Sequence, residues 1–155
     1  MTIISGAQTG VDRAALDAAM SCGLDYGGSI PRNRRAEDGP VDARYAALTE
    51  LQSDDYTTRT RRNVLDAEAT LILCPGSPEG GTALTEHIAL ELGRPVLIVD
   101  IDKKTYRSSI DSIRAWLTTL APAVLNIAGP RESKNPGLYA RALNVFEKVF
   151  QELYG

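Results

Sequence analysis

Short apolar runs alternate with longer helix-forming stretches along the whole chain, and this alternation constrains the fold more than any other feature. The runs "ATLILC" (69–74) and "PVLIVD" (95–100) are apolar at successive positions, so both faces of each strand must be covered. "TIIS" (2–5), "YGGSI" (26–30) and "AVLNIA" (123–128) read as three further strands. Between them lie "VDRAALDAAMSCG" (11–23) and "GTALTEHIALELG" (81–93), each closed by a glycine, and "SSIDSIRAWLTTL" (108–120), with Ile110, Ile113, Leu117 and Leu120 on one stripe. "GLYARALNVFEKVFQEL" (137–153) ends the chain as an amphipathic helix with Leu138, Ala142, Val145, Val149 and Leu153 on one side. Phe146 and Phe150 stand beside that stripe, as an interface or as a wider buried face.

Strands alternating with helices predict βαβ units with right-handed crossovers. The expected fold is α/β: a three-layer α/β/α sandwich with a five-stranded parallel sheet in the order 2-1-3-4-5. A chain of 155 residues suits one domain spanning 1–155, with no linker or repeat. One connection is long. Residues 31–68 open as "PRNRRAEDGP" and continue with helical pieces around "YAALTEL" and "YTTRTRRNVLDA"; connections of this length are usually functional or disordered.

Net charge is −3, which argues against a general nucleic-acid or membrane-surface binder, so any anionic ligand must be drawn by local positive charge. Trp116 and the tyrosines do not interleave with basic residues as a nucleic-acid platform would require. Cys22 and Cys74 fit neither a disulfide framework nor a zinc pattern, which suits a reducing cytoplasm, and no metal ligands are predicted. No leader or membrane span is expected.

In an open parallel sheet, ligands bind beyond the carboxyl ends of the strands where the order reverses. In the expected order the first and third strands flank that point. Both run into glycine-rich turns that open helices, "SGAQTGVD" and "CPGSPEGGT". Glycines let backbone amides approach a ligand, and a helix N-terminus favours phosphate. Neither turn is a Walker A loop or a GxGxxG fingerprint, since no GK[ST] follows and Gly6 and Gly10 are spaced GxxxG. Asp12 either caps its helix or orients a ligand group or Arg13.

Arginine forks grip phosphate. Arg34 and Arg35, just after the second strand, and Arg59 read as ligand contacts, whereas Arg61 and Arg62 read as solvated surface. Tyr56, Arg59 or Thr60, and Asn63 share one helical face by spacing. After the last strand, "NIAGPRESKNPG" brings Arg131 and Ser133 over the same edge. His87 falls near a buried helical stripe and reads as packing, and Cys74 as a small buried hydrophobe.

The stretches "ISGAQTGVDRAALDAA", "RRAEDGP", "YTTRTRRNVLDAEATLIL", "GGTALT" and "NIAGPRES" together resemble the molybdenum cofactor carrier family, over Ile3 to Ser133. The resemblance implies a Rossmann-like fold of the group that includes the lysine decarboxylase-like phosphoribohydrolases. It implies a phosphorylated pterin, the molybdenum cofactor, as bound ligand, and a homo-oligomer, dimer or tetramer. Ser5-Gly6 stands where that family usually has two glycines. Aligned on Gly81-Thr82, the phosphoribohydrolase signature PGGxGTxxE puts Thr85 where a catalytic glutamate belongs, and Thr85 cannot serve as a carboxylate acid or base. Glu37 and Asp38 lie on a loop that could reach the site instead.

The expected function is therefore a carrier for a small phosphorylated heterocycle, with no catalytic residue assigned. Gly6, Gln8, Thr9 and Gly10 would wrap one phosphate. Gly80, Gly81 and Thr82 would hold the ligand from the other turn. Arg34, Arg35 and Arg59 would supply charge, and Asn126, Gly129 and Arg131 the far wall. The alternatives are a nucleoside-monophosphate phosphoribohydrolase-like enzyme and a nucleotide-sensing module.

Overall fold

The computed structural model describes residues 1–155. Five strands form the main sheet: β1 (Thr2–Ile4), β2 (Asp25–Gly27), β5 (Ala69–Cys74), β6 (Val96–Asp100) and β7 (Val124–Ala128). All pairings are parallel. Helices α1 (Val11–Ser21), α4 (Tyr106–Leu120) and α5 (Leu138–Tyr154) cover one face, and α2 (Tyr56–Asp66) and α3 (Gly80–Glu91) the other. The three-layer α/β/α sandwich and its five-stranded parallel sheet are as the sequence predicts. No helix is long and apolar enough to cross a membrane.

The order is not as expected. It runs β2-β1-β7-β5-β6, so the last strand lies between the first and the third rather than at the edge. Apolar patterning reveals that a strand exists but not which neighbours it takes. The α4 crossover carries the chain over β5 and inserts β7 between β5 and β1, with Asn126 in register with Ile4 on one side and Thr70 on the other. Counted as if the chain began at β7, the order is 3-2-1-4-5, that of a doubly wound nucleotide-binding sheet. The reversal point therefore falls between β7 and β5, not between β1 and β5.

The predicted second strand is broken at Gly28. Its first half, β2, pairs with β1, and its second, β3 (Ser29–Ile30), turns away to pair with β4 (Thr49–Glu50). Gly28 adopts φ +126, and a Cβ there would stand 2.1 Å from the Ser5 carbonyl oxygen. The "YAALTEL" stretch forms turns and β4 rather than a helix. The excursion is held by side chains instead. Tyr45 is fully buried and donates to Asp17 of α1, while Ala36, Val41 and Tyr45 form a small core with Ala7, Leu16 and Ile30.

The main core joins α1, α4 and α5 to the sheet. Phe146 and Phe150 are buried in it and stack at 6.3 Å, so they widen the buried face of α5. Gly129, the residue after β7, decides how closely α1 approaches the sheet. A Cβ there would lie 2.3 Å from the Leu73 carbonyl oxygen and 2.6 Å from a Val11 methyl. Gly81, at the start of α3, has nothing within 4 Å of its Cβ position. Gly129→Ala is expected to cost about 1–3 kcal/mol by overpacking, whereas Gly81→Ala should be neutral or stabilising, both measured by denaturant unfolding.

Candidate functional site

Beyond the carboxyl ends of β1, β7 and β5 lies a cleft of about 490 Å³, a volume typical of small-ligand sites. Its walls come from the loop after β1, one face of α2, the first turn of α3 and the segment after β7.

The first loop closes on itself. Ser5 Oγ donates to the Asp12 carbonyl (2.9 Å) and accepts from the Ala7 amide (3.1 Å). The Asp12 carboxylate accepts from the Gln8 amide (3.3 Å), and Gln8 Oε1 accepts from the amides of Thr9 (3.1 Å) and Glu37 (2.9 Å). The amides of Gln8 and Thr9, two of those expected to wrap a phosphate, are thus occupied, as is that of Ala7 between Gly6 and Gln8. Gln8 Nε2 remains without a protein partner and reaches the cleft.

Arg59 crosses this loop. Its Nη1 donates to the Gly6 carbonyl (2.8 Å), and its side chain fills the space that a Cβ on Gly6 would need, 2.6 Å away. Only glycine fits beneath it. Arg59 is 8% exposed and makes no ion pair, leaving Nε and Nη2 open to the cleft. Tyr56, Thr60 and Asn63 share a face of α2 with Arg59, as the helical spacing predicts, and that face forms the cleft wall. Asn63 is taken up structurally, accepting from the Ser29 amide (2.7 Å) and donating to its carbonyl (3.0 Å).

Opposite stands the first turn of α3. The Gly80 and Gly81 amides have no hydrogen-bond partner, and Glu79 at the cap gives none from its side chain. Lys134 reaches across from the segment after β7, its Nζ 3.3 Å from the Cβ position of Gly80. Asn126 forms the floor at the end of β7. It is 3% exposed, its Nδ2 lies 3.4 Å from Thr70 Oγ1, and its Oδ1 has no partner. Thr85 Oγ1 donates to the Gly81 carbonyl (3.0 Å) and contributes no charge.

Gly6, Gln8, Arg59, Gly80, Gly81, Thr82, Asn126, Gly129 and Arg131 are therefore brought together around one cleft. Thr9, Gly10, Arg34 and Arg35 are not among its lining. Thr9 hydrogen-bonds Glu37, and Thr9 and Gly10 face a separate hollow beside Arg13, Asp17 and Tyr45. Arg34 donates to the carbonyls of Val41 (2.8 Å), Asp42 (2.9 Å) and Tyr45 (3.2 Å). Arg35 donates to Asp54 O (3.0 Å) and lies 4.4 Å over the Tyr56 ring. An excursion without regular structure has carbonyls to satisfy, and a planar fork satisfies several at once. His87 is largely exposed at the surface rather than packed.

A family model described as "Circularly permutated YpsA SLOG family" matches residues 3–150. The chain belongs to that family. The permutation in the description agrees with a sheet that regains the doubly wound order when counted from β7. Among solved structures, a "Putative molybdenum carrier protein" from Syntrophus aciditrophicus SB is 43% identical, covers 96% of this chain and 93% of its own, and superposes with a TM-score of 0.92. No curated protein matches the chain.

Among the cleft's polar residues, Lys134 was not singled out as a ligand group by sequence. Lys134 lies three residues after Arg131 in a segment that declares no period, so nothing marked it. Asp12 was ambiguous; the structure places it in the first turn of α1 without capping it, its carboxylate accepting from the Gln8 amide and lining the cleft. Burial pushes its carboxyl up to about 6, against the opposing pull of the Arg59 charge and of the Gln8 and Gly129 amides. Glu37 and Asp38 are committed elsewhere. Glu37 accepts from Ser133 Oγ (2.5 Å) and from Thr9, and Asp38 pairs with Arg13 (2.6 Å).

Because the folded Asp12 holds its proton more tightly than the unfolded chain, its contribution to stability is complete below about pH 4 and is lost as pH rises through 6. Asp12→Asn removes that loss. The variant should gain up to about 3 kcal/mol relative to the parent between pH 4 and 7, measured as the pH dependence of the difference in unfolding free energy; a flat difference would refute the assignment.

Proposed function

We propose that the cleft binds and carries a phosphorylated heterocyclic small molecule, with the molybdenum cofactor as first candidate. The observation that carries this reading is Arg59. A guanidinium this deeply buried, with no carboxylate paired to it and two nitrogens open to the cleft, is strongly unfavourable unless an anion completes it. The free amides of the α3 first turn, its dipole and Lys134 favour negative charge on the opposite wall. The flat body of a pterin would lie over the floor at Asn126, with Tyr56 at the side.

The carrier name of the solved relative supports the same reading. In this reading molybdenum arrives bound to its pterin, and the protein need supply no metal ligand. The hydrolase alternative has one buried carboxyl on the cleft to work with, Asp12, since Thr85 stands at the usual glutamate position.

Native mass spectrometry of the protein incubated with the molybdenum cofactor is expected to show a one-to-one adduct. Gly81→Glu, which places a carboxylate at the α3 terminus without steric conflict, should abolish it while leaving the fold intact. No adduct in the parent protein, or brisk release of free base from nucleoside monophosphates, would overturn the carrier reading.

A further inference from the structure

Cationic groups sit on both walls of the cleft, and the sheet fixes how far apart those walls stand. Arg59 lies against Gly6, just beyond β1. Lys134 and the open amides of Gly80 and Gly81 lie beyond β5. β7 runs between β1 and β5, so the two strands are two inter-strand spacings apart, roughly 10 Å. That gap is wider than a single tetrahedral anion. Neither Arg59 nor Lys134 makes an ion pair, and each lies against a different one of the two turns, Arg59 against Gly6 and Lys134 against Gly80.

The Arg59 side is a built site in its own right, independent of the helix terminus. Besides the two free guanidinium nitrogens, Gln8 brings an unpartnered Nε2 at 7% exposure. The Tyr56 ring, which Arg59 approaches at 5.1 Å, lines the same side. Between the walls, the unpartnered Oδ1 of Asn126 offers an acceptor to a ring N–H rather than a counter-charge. The cleft thus carries cationic donors at both ends, with Asp12 beside Arg59 and Glu79 at the α3 cap as its carboxyls.

We infer that the ligand carries two separate anionic groups, one held by Arg59 and Gln8 on the β1 side and one by Lys134 and the α3 first turn on the β5 side, with its ring over Asn126. This rests on the reading of the cleft as a site for an anionic small molecule, and it narrows the ligand to a class with charge at both ends. A ligand with a single phosphate at the α3 end and a neutral far end would leave the buried Arg59 with no direct anionic partner, only the nearby Asp12 carboxyl.

Methylphosphonate followed by ³¹P NMR tests the two sites separately. The parent protein should show two bound resonances. Lys134→Met, a surface change, should remove one, and Arg59→Lys, which keeps the charge but loses the fork, should weaken the other. Calorimetry with α,ω-alkane bisphosphonates of graded chain length should then find an optimum length that binds at least about tenfold more tightly than methylphosphonate, because the second anion binds intramolecularly. Lys134→Met should cancel that gain. A single bound resonance that Lys134→Met removes, with no chain-length optimum, would overturn the two-anion inference and leave the carrier reading standing. No phosphonate binding at all would overturn both.

Discussion

The burial of Arg59 across Gly6 is the constraint on which the site depends. One hydrogen bond to the Gly6 carbonyl fastens α2, and with it the far end of the long excursion, to the loop that follows β1. A Cβ at position 6 would stand 2.6 Å from the Arg59 side chain, so any larger residue there displaces the guanidinium from its place across the loop. It also leaves a desolvated positive charge beside a cleft, with Asp12 close enough to feel it but not paired to it. Folding alone gains little from such an arrangement, since an unpaired buried ion costs several kcal/mol.

The remainder of the cleft is positioned by polar side chains that never touch it. Glu37 bridges Thr9 and Ser133, and so holds the segment carrying Arg131 and Lys134 against the first loop. Burial alone would raise its carboxyl, but hydrogen bonds from Ser133 and Thr9 bring it below the ordinary range. Glu132 accepts from the amides of Gly137 and Tyr139 (both 2.8 Å) and so fixes where that segment meets α5. Arg34 and Tyr45 do the corresponding work inside the excursion. The "RRAEDGP" stretch therefore acts as scaffold, although its charges read as ligand contacts in the sequence.

The elements with a strong period were legible. β5 and β6, apolar on both faces, and the glycine-closed α1 and α3 stand within a few residues of where the sequence places them. Polar positions on a periodic element were legible in part: the spacing put Tyr56, Arg59 or Thr60, and Asn63 on one helical face, but a polar face reads first as solvated, and only the structure puts it on the cleft wall. What lacked a period was misread or missed. β3 and β4 are two residues each and are held by the turn at Gly28 rather than by any pattern. The arginines of the excursion gave no sign of whether they would meet a ligand or a loop carbonyl, because both are acceptors.

By itself the sequence determined the parallel α/β class, the positions of the long helices and main strands, and the two glycine-bearing turns at one edge of the sheet. These follow from local periodicity and from conformations that only glycine adopts readily. The tertiary structure decided that β7 enters between β1 and β5, that the first loop satisfies its own amides, and that Arg59 rather than Arg34 or Arg35 faces the cleft. Strand neighbours and hydrogen-bond partners are chosen among groups far apart in the chain, and their competition is settled only when the layers close on one another.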